Sequence, residues 1–185
     1  MRFNGILFSG LPGSGKTTTS RQLAEKLGWP VFYVGGLLRE RWTEKYPTAE
    51  LSFEEYLRSI TPEEERATDT YAHDTLAKGG IIGDMWHGII GEGLPILRVF
   101  ITAPLDIRAQ RGMQTDKKEI AGKTLEEIKV LLNERENRQL GLAKKLYGPE
   151  YDYRDPSGYH ITLNSGLLSI EEKISTVLHF FEKGI

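Results

Sequence analysis

An α/β domain of three layers, with helices on both faces of a five-stranded parallel sheet, is the fold class that the sequence predicts. Short apolar runs of strand length alternate with longer segments of helical periodicity along the 185 residues. The first apolar run leads through a glycine-rich turn directly into the first helical segment. No repeat, low-complexity tract or linker interrupts this alternation, so we expect a single domain over residues 1–185.

Each element has its own local signal. Apolar runs predict strands at residues 5–9, 31–34, 80–84, 97–102 and 159–164. Four later helices open with a capping box, in which a hydroxyl and a Glu three residues on satisfy free helix-start amides; the pairs are Ser52 with Glu55, Thr61 with Glu64, Thr124 with Glu127, and Ser169 with Glu172. We therefore expect two helical insertions, one for acceptor binding at about residues 35–78 and one forming a lid at about residues 108–140.

Composition excludes several classes of partner. The net charge is −2, which gives no electrostatic reason to expect a nucleic-acid or membrane partner. The absence of cysteine excludes disulfides and thiolate metal sites and fits a reducing compartment. No apolar run approaches the roughly 20 residues that a membrane helix needs. We expect a soluble cytoplasmic chain that acts on a small molecule as a monomer, with an oligomer as the alternative.

The glycine-rich turn, GLPGSGKT at residues 10–17, matches the phosphate-binding pattern G-x-x-x-x-G-K-[ST] between a strand and a helix. Its glycines let successive N–H groups point at one anion, and the positive end of the following helix adds to that field. The lysine supplies positive charge for the β- and γ-phosphates, and the threonine hydroxyl is a ligand for Mg²⁺. The pattern predicts ATP and Mg²⁺ binding by Gly10, Pro12, Gly13, Ser14, Gly15, Lys16, Thr17 and Thr18.

A second metal ligand is expected at Asp84, which ends the third strand. A carboxylate in that position holds Mg²⁺ directly or through water in phosphate-loop enzymes. The alternative is a solvated aspartate at a strand end.

Arginines suited to a moving phosphoryl group follow the fourth strand. Arg108 and Arg111 are three apart on a predicted helix and so point the same way, and Arg135 and Arg138 repeat this spacing on a later helix. The polar turn at residues 112–122 separates the two helices; the lysines in and beside it are Lys117, Lys118 and Lys123. Together these features predict a lid that closes over phosphates, and ordinary surface charge is the alternative.

With these residues in view, the chain resembles the nucleoside monophosphate kinases, most closely the short archaeal-type cytidylate kinases. The likeness is carried by the phosphate loop and by GLLRE, KGGII, TAPLDIRAQR, ERENR, KKLYG and the final LNS, in that order. It implies a P-loop NTPase fold, ATP on the loop, an acceptor in the first insertion and an arginine lid. It also implies that Arg39 grips the acceptor phosphate, and that Lys16, Arg108, Arg111 and Arg135 act in catalysis.

The departures from that family fall in the acceptor half. Gly36 stands where an acid is usual, Met85 and Trp86 replace a glycine and a base-reading arginine, and Thr70 and Asn137 replace two further arginines. Trp86 either stacks on an acceptor base or belongs to the core, and His87 either contacts the acceptor or is structural. Tyr147, Tyr151 and Tyr153 are expected to pack beneath the adenine pocket.

The function expected is transfer of the ATP γ-phosphoryl group to a nucleoside monophosphate, with CMP or dCMP as the best single guess. Such an acceptor needs no general base, and none is evident in the sequence. Arg39, Asp84 and Trp86 are the expected acceptor-binding residues, with Thr17 and Asp84 as metal ligands. The alternatives are a kinase for another metabolite or nucleoside, with Asp84 as its base, and a nucleotide-binding protein without turnover.

Overall fold

The computed structural model of the chain describes residues 2–48, 50–115 and 120–184. Its strands form one sheet in which every neighbouring pair is parallel, in the order β2-β3-β1-β4-β5. The strands are β1 (Gly5–Gly10), β2 (Val31–Tyr33), β3 (Ile82–Asp84), β4 (Ile96–Thr102) and β5 (Ile161–Asn164). The predicted α/β fold with a five-stranded parallel sheet is confirmed.

The helices follow the predicted alternation with the strands. They are α1 (Lys16–Leu27), α2 (Val34–Lys45), α3 (Phe53–Ser59), α4 (Pro62–Ala77), α5 (Leu105–Met113), α6 (Leu125–Tyr147) and α7 (Ile170–Lys183). All four capping boxes form as predicted, at the starts of α3, α4, α6 and α7. These pairs need only a hydroxyl and a carboxylate three residues apart, which is why local sequence is enough to predict them.

Two strands begin later than predicted. β3 starts at Ile82 because Gly79 and Gly80 take left-handed conformations, with φ of 69° and 61°, and form the turn before it. β5 starts at Ile161 because a short 3₁₀ turn, Pro156–Gly158, precedes it.

Two apolar clusters lie on opposite faces of the sheet. Phe8 packs with Leu23 of α1 and Val177 of α7, whereas its neighbour Leu7 packs on the other face with Leu38 of α2 and Leu76 of α4. This alternation along β1 is the period of two that a strand covered on both faces requires. It produces the predicted three layers.

The elements that build the site meet where the parallel strands end. Gly10 ends β1, Tyr33 ends β2 and Asp84 ends β3, so all three lie at the carboxyl edge of the sheet, where open α/β sheets bind ligands. The helices α2 to α4 occupy the first predicted insertion and α5 with α6 the second. Their roles in acceptor binding and as a lid stay predictions. Asp116–Glu119, which include Lys117 and Lys118, lie outside the described residues. None of the described helices combines the length and hydropathy needed to cross a bilayer.

Candidate active site

The phosphate loop has the curled backbone that its glycines predict. Gly10, Gly13 and Gly15 have φ of 139°, 77° and 89°, a region that favours glycine. A β-carbon on Gly10 would lie 2.0 Å from the carbonyl oxygen of Ile101, so β4 leaves no room for any other residue. The N–H of Ser14 donates to the carbonyl of Leu11 at 3.2 Å and closes the turn.

Two polar side chains of this loop suit an anion. The Lys16 Nζ donates to the carbonyl oxygens of Gly10 and Leu11 at 2.8 and 2.9 Å, which holds the ammonium across the loop. The Ser14 hydroxyl is buried and has no hydrogen-bond partner among the described residues. A buried polar group without a partner costs about 1–3 kcal/mol, and a phosphate oxygen in the loop would relieve that cost. The loop therefore fits a nucleotide phosphate.

Asp84 lies beside the phosphate loop, against the first turns of α1, and is only 2% exposed. Burial raises the pKa of its carboxyl, while the Lys16 ammonium and the hydroxyls of Thr17 and Ser20 oppose that rise. The Ser20 hydroxyl donates to the Asp84 Oδ2 at 3.3 Å. A hydroxyl and a carboxylate beside the loop are the oxygen ligands that Mg²⁺ prefers, so the residues present fit that ion.

Arg108 is buried against the outside of the phosphate loop. Its Nη1 donates to the carbonyl oxygen of Pro12 at 3.2 Å, and its Nε donates to that of Ala103 at 3.0 Å. Its Nη2 lies 3.3 Å from a carboxylate oxygen of Glu136 on α6. The guanidinium therefore connects the loop, the end of β4 and α6. The catalytic role expected of Arg108 stays a prediction; its contacts in the structure are those of a residue that stabilises the loop.

Arg111 and Lys173 flank the point where the loop enters α1. The Arg111 Nη1 donates to the Ser14 carbonyl oxygen at 3.2 Å and to the Ser165 hydroxyl at 2.8 Å. A β-carbon on Gly15 would have this Nη1 at 3.7 Å and the Lys173 Nζ at 3.9 Å. Sequence reasoning missed Lys173, because a lysine in a capped amphipathic helix gives no signal that it is buried.

Replacing Lys173 with methionine should raise the Tm of the nucleotide-free chain. Lys173 is 2% exposed, and burial followed by repulsion from Arg111 lowers its pKa from the ordinary 10.5. The unfolded chain therefore binds this proton more readily, so Lys173 costs stability as the pH falls below 10.5. We expect the Tm difference, variant minus wild type, to be positive at pH 7 and to shrink as the pH approaches 10.5. A Tm difference that is absent or independent of pH would contradict the buried charge.

One cavity extends from the phosphate loop to the helices of both insertions. The phosphate loop contributes Gly13, Lys16 and Thr17 to its lining, and the insertions contribute Arg39 of α2 with Arg135 and Arg138 of α6. These two sets of lining residues are called the loop end and the arginine end. Burial, and repulsion from the two neighbouring arginines, lower the pKa of Arg135, while Glu54 opposes this. The structure thus brings the acceptor arginine expected from the sequence, Arg39, to the same cavity as the two expected lid arginines, Arg135 and Arg138.

These arginines are positioned by the first insertion. The Arg39 Cζ lies 4.1 Å from the ring centroid of Phe53, and Arg138 donates to a Glu54 carboxylate oxygen at 2.8 Å. Asn137, the position where the family has an arginine, is exposed, whereas Arg138 faces the cavity. Although the arginine stands one position later in this chain, its guanidinium still lines the cavity.

Trp86 belongs partly to the cavity wall and partly to the packed interior, and its stacking on an acceptor base stays a prediction. It lines the cavity, and its ring stands edge-on to His87 and Tyr153, with centroid distances of 4.0 and 5.3 Å. Its Nε1 donates to a carboxylate oxygen of Glu65 at 3.3 Å. One edge of the indole is therefore packed and bonded while part of it remains available to a ligand.

The other departures from the family have structural explanations. A β-carbon on Gly35 would come within 2.6 Å of the Tyr33 hydroxyl oxygen, and one on Gly36 within 3.0 Å of the same ring. The Tyr33 ring therefore fills the space that a larger residue would need, and it lines the cavity. Thr70 is exposed and its hydroxyl donates to the Arg66 carbonyl, so its side chain lies outside the cavity.

Two of the tyrosines contact the residues around Trp86. The Tyr147 hydroxyl donates to Asp69, and the Tyr153 ring packs on Trp86. Their expected place beneath adenine stays a prediction. Glu65 and Asp69 lie together with His87 beside Trp86. Sequence reasoning considered His87 but missed the two acids, which have the pattern of ordinary polar positions in a capped helix.

Comparison with known proteins identifies relatives along the whole chain. Residues 9–98 match the family described as an AAA domain. The cytidylate kinase of Methanopyrus kandleri is 31% identical over 183 residues, which cover 92% of this chain and 89% of the relative. The cytidylate kinase of Desulfurococcus amylolyticus is 32% identical over 184 residues, with 96% and 92% covered.

Solved structures agree on the fold. A shikimate kinase from Acinetobacter baumannii, in complex with shikimate, has a TM-score of 0.59 at 18% identity, with 98% of this chain and 94% of that one covered. A gluconokinase from Sinorhizobium meliloti has a TM-score of 0.59 at 16% identity, with 99% and 94% covered. At such identities the likeness supports the three-layer fold alone.

Proposed function

Because the chain belongs to the cytidylate kinase family of P-loop phosphotransferases, we propose that it transfers the γ-phosphoryl group of ATP to a nucleoside monophosphate, CMP or dCMP. One observation carries the proposal. Gly13, Lys16 and Thr17 of the phosphate loop line the same cavity as Arg39, Arg135 and Arg138, so one space offers groups for a donor phosphate and for an acceptor phosphate. Phosphoryl transfer depends chiefly on such positioning and on positive charge around the moving group.

The loop end suits the donor. The loop N–H groups and the start of α1 bind the phosphates, and Lys16 places its charge at the β- and γ-phosphates. Thr17 and Asp84 would hold Mg²⁺, whose charge offsets that of the phosphate oxygens when it is bound. Arg108 and Arg111 act on this end through the carbonyls of Pro12 and Ser14, which they hold from outside the loop.

The arginine end suits an acceptor that already carries a phosphate. Guanidinium groups match phosphate oxygens in pairs of hydrogen bonds, and Arg39, Arg135 and Arg138 offer three such groups on one wall. Burial first, and then the charges of Arg138 and Arg39, lower the pKa of Arg135, so a dianion beside it would be stabilised. An ionised phosphate oxygen attacks without losing a proton, so this reaction needs no general base.

The base of the acceptor would lie toward Trp86 and Met85. Trp86 offers a partly accessible indole for stacking, and Met85, only 3% exposed, fills the wall beside it. Reading a base by packing discriminates between ring sizes more than between polar groups. We therefore expect pyrimidine monophosphates to be preferred over purine monophosphates, with weaker discrimination between CMP and UMP.

One observation favours a second candidate, a hydroxyl acceptor. Asp84 borders the cavity with a pKa raised by burial, which is the property of a carboxylate that can take a proton from a hydroxyl. This candidate predicts activity on a nucleoside or another metabolite in place of a monophosphate. It gives Arg39, Arg135 and Arg138 no phosphate to bind, which is why the monophosphate acceptor is preferred.

A coupled assay of ADP release tests the proposal. Mg-ATP is offered with CMP, dCMP, UMP, AMP, GMP, the parent nucleosides or no acceptor. The proposal requires the highest kcat/KM on CMP or dCMP. Turnover on nucleosides but not on monophosphates would favour the hydroxyl acceptor, and ATP binding without turnover on any acceptor would make the chain a nucleotide-gated binding protein.

Replacing Arg39 with alanine should raise the KM for the acceptor about 10- to 100-fold, the loss expected for one charge-assisted pair of hydrogen bonds, and leave the KM for ATP within about twofold. Arg39 lines the cavity from α2, together with Arg135 and Arg138, and belongs to the first insertion. Arg58→Ala, an exposed position of α3 in the same insertion, is the matched control. Equal effects on both KM values, or no effect on either, would show that Arg39 does not bind the acceptor.

A further inference from the structure

A second cluster of ionisable side chains lies behind Trp86. Glu65 and Asp69 are four residues apart on α4, so they share one face of that helix, and His87 follows β3. The three residues are 3%, 7% and 0% exposed, respectively. Burial of two acids and a histidine together is unusual unless each group is compensated.

The distances within the cluster suit a metal ion. One ligand atom from each residue lies within 4.8 Å of the others, and the His87 Nε2 is 3.3 Å from the Asp69 Oδ1. Ligands at bond lengths of about 2.0–2.1 Å around a tetrahedral ion are separated by about 3.3–3.4 Å. The His87–Asp69 edge already has that length, and Glu65 completes the third position with a small movement of its side chain.

His87 indicates that a partner is missing. Both of its ring nitrogens are buried, and neither makes a hydrogen bond within the described part of the chain. The approach of Nε2 to Asp69 at 3.3 Å is close enough for an ion pair but lacks hydrogen-bond geometry. Buried polar groups in folded proteins are almost always paired, so an imidazole without partners that faces two carboxylates points to a bound cation.

The surrounding donors already orient the carboxylates. The Trp86 Nε1 donates to the Glu65 Oε1 at 3.3 Å, and the Tyr147 hydroxyl donates to the Asp69 Oδ2. In each carboxylate this leaves the second oxygen for the ion. Hydrogen bonds from outer residues to ligating carboxylates are a regular feature of metal sites.

Charge supports the same conclusion. Burial, and then the charge of Asp69, raise the pKa of Glu65, because two carboxylates this close repel each other in a low-dielectric interior. Arg41 contributes from α2, but its Nη1 is bonded to the Thr68 hydroxyl at 2.7 Å. A divalent cation would offset the charge of both carboxylates.

We propose that Glu65, Asp69 and His87 form a binding site for a divalent transition-metal ion of the zinc type, distinct from the Mg²⁺ that accompanies ATP. Imidazole with carboxylates suits Zn²⁺ or its neighbours, whereas Mg²⁺ is bound by oxygen ligands and retains waters. Three protein ligands leave a fourth position open. Glu65 and Trp86 also line the acceptor cavity, so that open position would lie toward the acceptor end.

Cobalt binding tests the site without relying on turnover. The chelator-treated chain, without nucleotide and with excess Mg²⁺, is titrated with Co²⁺, and the visible absorption of tetrahedral cobalt is followed. Zn²⁺ then displaces Co²⁺, and mass spectrometry counts the zinc bound. We expect one equivalent of each ion in the wild type. We also expect at least a tenfold loss of Co²⁺ affinity in Glu65→Gln, Asp69→Asn and His87→Gln, which keep the size of each side chain nearly unchanged.

Two controls separate this site from the rest of the chain. His73→Gln removes an exposed histidine that pairs with Asp74 on the same α4 helix, and Asp84→Asn removes the carboxylate beside the phosphate loop. Both should keep the wild-type Co²⁺ affinity. Absence of the tetrahedral absorption in the wild type, or equal Co²⁺ affinity in His87→Gln and His73→Gln, would overturn the proposal. Since no nucleotide is present, failure of the metal site and failure of the kinase proposal are observed separately.

Discussion

Replacing Lys16 with alanine is expected to lower kcat for phosphoryl transfer at least about a hundredfold, the loss typical of removing one group that stabilises transition-state charge. The Lys16 Nζ lies across the loop on the carbonyls of Gly10 and Leu11, in position to turn to a phosphate oxygen. The curl of the loop comes from its glycines, so the variant should remain folded. Coupled ADP release measures the loss, and circular dichroism with Tm checks the fold.

Lys26→Ala is the matched control for that variant. Lys26 is an exposed lysine in the last turn of the same helix, α1, and its removal should leave kcat within about twofold, as expected for an exposed substitution. A wild-type kcat in Lys16→Ala would show that the lysine of the phosphate loop takes no part in the reaction.

Replacing Arg108 with methionine is expected to lower the free energy of unfolding by about 3 kcal/mol, the lower end of the range for breaking a buried ion pair. Arg108 is 5% exposed and is bonded to Pro12, Ala103 and Glu136. The loss falls at the lower end because Glu136 keeps a second partner, Arg154, at 3.2 Å. For a chain of this size about 3 kcal/mol corresponds to a Tm lower by about 6–12 °C.

The same variant distinguishes two roles for Arg108: stabilising the folded phosphate loop, or acting on the phosphoryl group from a lid. A lid arginine that acts only on the moving phosphoryl group would lower kcat and leave the Tm of the nucleotide-free chain unchanged. Arg66→Met, at an exposed position of α4, should change stability by less than about 0.5 kcal/mol and serves as the control. An unchanged Tm in Arg108→Met would show that the bonds to Pro12 and Glu136 contribute no net stability.

The curled backbone of the phosphate loop could be predicted from the sequence because the loop is built from neighbouring residues. The eight positions 10–17 contain the positive-φ glycines, the lysine and the start of α1, and no distant contact is needed to define them. The acceptor end was predicted only in part. Arg39 and Arg135 reach the cavity as expected, but the contribution of Arg138 depends on α6 lying against Glu54 of α3.

The sequence by itself determined the strand–helix alternation, the four capped helix starts and the phosphate loop, because local patterns specify them; the bonds of each capping box join residues three positions apart. Only the tertiary structure decided which residues Arg108 and His87 contact. Arg108 reaches Pro12, 96 residues away, and His87 meets Asp69 across the gap between β3 and α4. The partners of a side chain depend on which elements pack together. Local patterns of charge or hydropathy do not show which residues far apart in the sequence will be in contact.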